Sequence, residues 1–217
     1  MKQQSLNMYT LVILPIRDII IRLVRILFKL PLKDACKIAI FGSKASGKTT
    51  LWNQLRHKCE DCNCPPTLGI DDINSFDIEF DGKIKTIAKS KDYGGSDDFV
   101  KDYEQVISAG TFIYYLIDLT KLDDFEKETN ARLAKIMMII KDKKISDSVG
   151  MTLVATHYKE YKDSHPGKNK QDARNELISV LGLSNKKFKY FADNIMVAEL
   201  TDKNDIQQFF KQIFEQK

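Results

Sequence analysis

Four residues in one short stretch carry most of the chemistry this chain can express. In Ile38–Thr50, which reads I-A-I-F-G-S-K-A-S-G-K-T-T, Gly42, Gly47, Lys48 and Thr49 satisfy the G-x-x-x-x-G-K-[ST] spacing. Glycines at those two places let a backbone wrap closely round an anion, so that the amides of Gly42, Ser43, Lys44, Ala45, Ser46 and Gly47 can turn inward. A helix starting at about Thr49 and Thr50 then presents its positive dipole end. In such a loop Lys48 reaches the terminal phosphates of a nucleotide and the Thr49 hydroxyl coordinates Mg²⁺. A bare glycine-containing strand-to-helix turn would satisfy the spacing without any ligand, so the flanking segments decide the reading. An apolar run, Cys36–Phe41, leads in as a buried strand, and Leu51, Trp52 and Leu55 follow at helical core spacing up to about Cys59.

Two further motifs stand downstream in the order a nucleotide switch needs. P-P-T-L-G-I, Pro65 to Ile70, places Thr67 after two stiffening prolines and before Gly69. D-Y-G-G, Asp92 to Gly95, follows a hairpin predicted over Asn74–Phe80 and Ile84–Lys89, turned at Asp81-Gly82. Thr67 offers a second hydroxyl to the metal, Asp92 a carboxylate for metal-bound water, and Gly95 an unobstructed N–H for a γ-phosphate. Loss of that phosphate would release Thr67 and Gly95 together, which is the physical basis of a switch.

With these residues in place, the chain resembles the small GTPases of the P-loop NTPase superfamily. Within them it is most similar to the Arf and signal-recognition-particle-receptor β-subunit group. G-S-K-A-S-G-K-T matches the phosphate loop, P-P-T-L-G the first switch and D-Y-G-G the second, and the resemblance runs from about Cys36 to the C-terminus. It implies GTP or GDP with Mg²⁺ as ligands, with Thr49, Thr67 and Asp92 at the metal and Lys48, Thr67 and Gly95 at the reacting phosphate. The base-reading motif N-K-x-D is replaced by Thr156-His157-Tyr158-Lys159. Thr156 is a tolerable substitute and His157 can stack, but an ammonium at Lys159 only donates and cannot accept the guanine N–H groups. Asp163 is an alternative carboxylate in that region. Ala198-Glu199-Leu200 stands where many relatives carry S-A-K. Ser96 occupies the position of the water-orienting glutamine, leaving Asp97, Asp98 or Lys44 as candidate helpers. The expected activity is therefore a GTP-binding switch with weak intrinsic hydrolysis that acts through an effector or activating protein. A scaffold that keeps the fold without hydrolysis is the alternative, and an ATP-using enzyme a third possibility.

The remaining elements must hold these groups together. Apolar strands at Thr111–Leu119, Met151–Ala155 and Asn194–Glu199 alternate with helices. One carries Phe99, Tyr103, Val106 and Ile107, one Leu133, Ile136, Met137 and Ile140, and two lie at Asp172–Leu181 and Asn204–Phe214. That series predicts an α/β fold, a mostly parallel sheet sandwiched by helices with its ligand at the carboxyl ends of the strands.

Before this domain, 36–217, lies a basic arm, 1–35. Of the net charge of +4, the residues up to Lys37 contribute an excess of five positive charges, from Lys2, Arg17, Arg22, Arg25, Lys29, Lys33 and Lys37 against Asp18 and Asp34. A near-neutral remainder gives no basic stripe for nucleic acid. After Pro15 the arm reads as an amphipathic helix with Asp18, Arg22, Arg25 and Lys29 on one narrow stripe. That pattern predicts peripheral attachment to an anionic membrane surface from the cytoplasmic side; a single-pass anchor and packing on protein are the alternatives. His57, Cys59, Cys62 and Cys64 have the types of a zinc set, but in a reducing compartment the three thiols are expected to be plain reduced cysteines.

Overall fold

The structure, a computed structural model, describes residues 35–57, 67–183 and 189–215. Residues 1–34 of the N-terminal arm, the cysteines Cys59, Cys62 and Cys64, and Pro65 and Pro66 lie outside these. Among the described residues there are eight strands: β1 (Lys37–Gly42), β2 (Ile70–Ile73), β3 (Phe76–Phe80), β4 (Lys83–Ile87), β5 (Ser90–Tyr93), β6 (Thr111–Asp118), β7 (Gly150–Thr156) and β8 (Ile195–Val197). Six α-helices accompany them there: α1 (Lys48–Leu55), α2 (Glu126–Asp142), α3 (Tyr158–Ser164), α4 (Lys170–Val180), α5 (Lys189–Asp193) and α6 (Lys203–Glu215). The main sheet has the order β2-β5-β1-β6-β7-β8, parallel throughout except that β2 runs antiparallel at one edge.

Apolar runs make the central strands because both faces are covered by helices, the usual situation of a parallel sheet. Alternation then assigns each side chain to a face. Ala39 and Phe41 of β1 join Tyr115 and Ile117 of β6 and Leu153 of β7 in one core with Leu133 and Ile136 of α2. Ile38 and Ile40 join Tyr114, Leu116 and Val154 in the other, against Leu51, Trp52 and Leu55 of α1 and Phe209, Phe210 and Ile213 of α6. Each fully buried side chain of this size contributes about 1.5–3 kcal/mol, so the two layers fix β1 from both sides. The loop leaving its end is therefore anchored.

Several expected elements are adjusted. The helix after the loop ends at Leu55 rather than near Cys59, because His57 adopts a left-handed φ of 51° that no α-helix continues. The hairpin does turn at Asp81-Gly82, whose φ values of 51° and 68° are both positive, as a type I′ turn requires. Its arms are longer than expected, though, and bent. The outer part, β3 and β4, forms its own two-stranded sheet, while the inner part, β2 with β5, belongs to the main sheet. The segment with Phe99 and Tyr103 is a 3₁₀ helix, Asp97–Gln105, and Val106 and Ile107 follow it. The short helices α3 and α5 were not anticipated from the pattern.

Candidate functional site

The pairing register brings the loop and the D-Y-G-G segment side by side. Ile40 of β1 is opposite Asp92 of β5, so both chains emerge together at the carboxyl edge of the sheet. Between them lies a cavity of about 490 Å³, lined by Lys44, Ala45, Gly47, Lys48, Thr49, Thr50, Thr67, Leu68, Tyr93, Gly94, Gly95, Ser96, Phe99 and His157.

At one end of it three polar groups from distant parts of the chain meet. Thr49 Oγ1 donates to Asp92 Oδ2 at 2.7 Å, Thr67 Oγ1 donates to the same oxygen at 3.1 Å, and the two hydroxyls are 2.8 Å apart. Asp92 is buried and its other oxygen, Oδ1, has no protein partner. Burial holds its carboxyl above the ordinary carboxylate value, a rise the two hydroxyl hydrogen bonds oppose. A solvent-shielded carboxylate with an unspent oxygen beside two hydroxyls is a donor set for a hard, oxygen-preferring cation such as Mg²⁺. It differs from a His/Cys/carboxylate cage, and no cluster of three such residues is found among the described residues.

Lys48 is 7% exposed and donates to the Ser43 carbonyl at 2.7 Å across the loop. Burial lowers its pKa from 10.5 to about 8, with the charge of Asp92 opposing the fall. This ammonium is under-solvated, the condition in which an anion is most strongly attracted.

The glycines have packing reasons that the motif alone does not reveal. Gly42 has φ 147°, and a Cβ there would stand 2.3 Å from the Leu116 carbonyl and 2.6 Å from Ser46 Oγ. A Cβ on Gly47, at φ 90°, would meet Leu200 Cδ1 at 2.5 Å. Gly95 lies against the loop itself: its Cβ would stand 2.2 Å from Lys44 Cα and 2.3 Å from Lys44 N.

Not every expected residue lines the cavity. Gly42, Ser43, Ser46 and Asp92 stand behind the lining residues, with Ser43 and Ser46 buried and Ser46 Oγ without a partner. Thr156 is fully buried, and its hydroxyl donates to the carbonyls of Ser46 and Ile117 at 3.0 and 3.2 Å, so it braces the loop from beneath. His157 does line the cavity. Its Nε2 is 2.9 Å from the Ala45 carbonyl, and its left-handed φ of 58° opens α3. The backbone N–H of Lys159 donates to Glu199 Oε2 at 3.1 Å, tying the segment after β7 to the segment after β8. Asp163 lies in α3 and is exposed. Of the groups considered as water-orienting, Ser96 Oγ donates to Asp98 Oδ2 at 3.0 Å and Asp97 pairs with Arg132.

Arg132 is the residue that motif reading misses. It is 2% exposed, on α2, and its guanidinium donates to Gly42 O (3.1 Å), Gly95 O (2.8 Å) and Asp97 Oδ1 (3.0 and 2.8 Å). These partners are 35 to 90 positions away in sequence. The only hint in the sequence is an arginine flanked by Leu133 and Ile136 on a helix whose apolar stripe faces the core. No protein-family model matches this chain, and no curated protein sequence matches it.

Proposed function

We propose that this protein is a GTP-binding switch with a P-loop NTPase fold of the small-GTPase kind, which hydrolyses GTP slowly and works through an effector or activating protein. The observation that carries this reading is the meeting of Thr49, Thr67 and Asp92 at 2.7–3.1 Å beside the Gly42–Gly47 loop. Three separately spaced motifs converge there, and chance matches to short patterns would have no reason to do so. In this reading Lys48 neutralises the terminal phosphates, the backbone of Lys44–Thr49 holds them, and Gly95 contributes an N–H on the opposite wall. Thr49, Thr67 and Asp92 would hold Mg²⁺, which supplies charge neutralisation at the phosphates. His157 offers an aromatic ring to the base.

Slow hydrolysis follows from the engagement of the nearby polar groups. The Ser96 hydroxyl donates to Asp98, and Asp97 Oδ1 accepts from Arg132, so both side chains are already held by protein partners. The basic arm is proposed to hold the protein peripherally at a membrane on its cytoplasmic side. Among the described residues no helix is long and apolar enough to cross a membrane.

Calorimetric titration with GTP, GDP and ATP, each with Mg²⁺, tests this reading. Micromolar or tighter binding of GTP with ATP inert is expected, as is loss of GTP binding in Lys48→Ala. The Lys159 backbone N–H and the Glu199 carboxylate, bonded to each other where guanine-reading groups are expected, favour a second reading as a pseudo-GTPase scaffold that does not hydrolyse GTP. Absence of binding by all three nucleotides would select it.

A further inference from the structure

One nitrogen of the Arg132 guanidinium, Nη2, has more acceptors within reach than hydrogens to give them. Nη2 carries two hydrogens and spends them on Gly95 O and Asp97 Oδ1, both at 2.8 Å. Glu128, one turn earlier on α2, places its Oε1 also 2.8 Å from Nη2. That oxygen is buried and receives no hydrogen bond, because both hydrogens are already directed elsewhere. That oxygen is ion-paired with the guanidinium but receives no directed hydrogen, and the pair strengthens if Nη2 turns a hydrogen to it.

The other side of the arginine explains what such a turn would release. Nη1 donates to Gly42 O, so the guanidinium is fixed to the start of the loop whatever Nη2 does. Gly95 is pressed onto Lys44 with no room for a Cβ. The Gly95–Asp97 segment is therefore clamped against the loop through one side chain. Asp97, with 77% of its side chain exposed, is free to leave into water. Tyr103, which shares a side-chain hydrogen bond with Arg132, and Tyr115 also face the guanidinium, but as neutral phenols they bring no charge to compete with the carboxylates.

We propose that Arg132 is a two-position latch. In the state described it holds Gly95 and Asp97 shut on the Gly42–Gly47 loop, and it opens by exchanging them for Glu128 while keeping Gly42. This is a discrete two-state element, the kind of device that coupling between a site and a distant surface requires. It rests on the proposed nucleotide reading only for what the latch admits and retains: the opening of the wall of the cavity would set how fast ligand enters and leaves.

Hydrogen–deuterium exchange on the nucleotide-free full-length protein tests the latch without that reading. The reporters are the amides of Gly94, Asp98 and Phe99, which donate to Gly69 O, Ser96 Oγ and Ser96 O. Asp97→Asn removes the charge that holds the latch shut and is expected to speed exchange of these amides about tenfold or more, the effect of one charge-assisted hydrogen bond. Glu128→Gln removes the competing partner and is expected to slow it about threefold or more. Thermal unfolding should stay close to wild type for both. Shifts of opposite sign are something a merely structural ion pair does not produce, so equal shifts in one direction, or no shift in either variant, would overturn the latch. Release of a fluorescent GDP analogue should follow the same order, Asp97→Asn faster and Glu128→Gln slower. Failure of wild type to bind it would defeat the nucleotide reading and leave the exchange result to decide the latch.

Discussion

Lys48→Met separates a residue kept for its ligand from one kept for the fold. The ammonium sits in a buried position where its pKa falls from 10.5 to about 8, a preference for the neutral form of roughly 3 kcal/mol. At pH 7 the lysine is charged in both folded and unfolded chains, so the folded state bears that whole penalty. Methionine has similar length and removes it, but leaves the Ser43 carbonyl without its partner, at about 1–3 kcal/mol. The net expectation is a protein as stable as wild type or stabilised by up to about 2 kcal/mol, read by urea unfolding with the ligand absent. The sign has a second check. Between about pH 8 and 10.5 the unfolded chain binds more protons at this site than the folded one, so wild-type stability gains from Lys48 as pH rises across that window. The variant should lack that gain. Affinity for Mg·GTP should meanwhile fall at least about a hundredfold, the scale for truncating one side of a buried charge pair. A loss of stability above about 2 kcal/mol with GTP affinity retained would refute the reasoning, because Lys48 would then be a structural cation.

Other outcomes follow from the same geometry. Asp92→Asn keeps an acceptor for Thr49 and Thr67 but removes the charge, so the Mg²⁺ dependence of GTP affinity, measured by titration with and without chelator, should fall at least about tenfold. In wild type, burial raises the Asp92 pKa. Protonation therefore starts above the ordinary carboxylate value of 3.8, and Mg·GTP affinity should decline at a higher pH than a solvated aspartate would cause, an acid limb that Asp92→Asn should lack. Gly95→Ala puts a Cβ 2.2 Å from the Lys44 backbone, which neither chain can relieve by rotating a side chain. A loss of about 1–3 kcal/mol is expected in urea unfolding, and a neutral result would mean the two segments are not in contact in solution.

How far the sequence could be read depended on whether the information was local. The approach strand, the α1 core residues and the Asp81-Gly82 turn were legible because apolar runs and a positive-φ pair act over a few residues. The strand β2 was hidden because Asp71 and Asp72 interrupt Ile70–Ile73; at a sheet edge those carboxylates simply point to water. Helix α3 has one buried side chain, Tyr161, too little for a periodic signal. In the site, Thr49, Thr67 and Asp92 were found because each belongs to its own short motif. Arg132 was not, since its partners Gly42, Gly95 and Asp97 come from other elements and only the packing of α2 on the sheet assembles them. The bond from the Thr156 hydroxyl to the Ser46 carbonyl is likewise invisible in the motif, because the register of β6 and β7 sets it.

The claim beneath all of this is that the cavity beside the Gly42–Gly47 loop holds the phosphates of a metal-bound guanine nucleotide. A crystal structure of the protein with Mg²⁺ and a non-hydrolysable GTP analogue tests it most directly. The expected result is the triphosphate enclosed by the amides of Lys44–Thr49, with the Lys48 ammonium turned from Ser43 O to the terminal phosphates and the metal at the Thr49 and Thr67 hydroxyls. A nucleotide bound elsewhere, or crystals grown at millimolar analogue with Lys48 still on Ser43 O and nothing in the cavity, would contradict it.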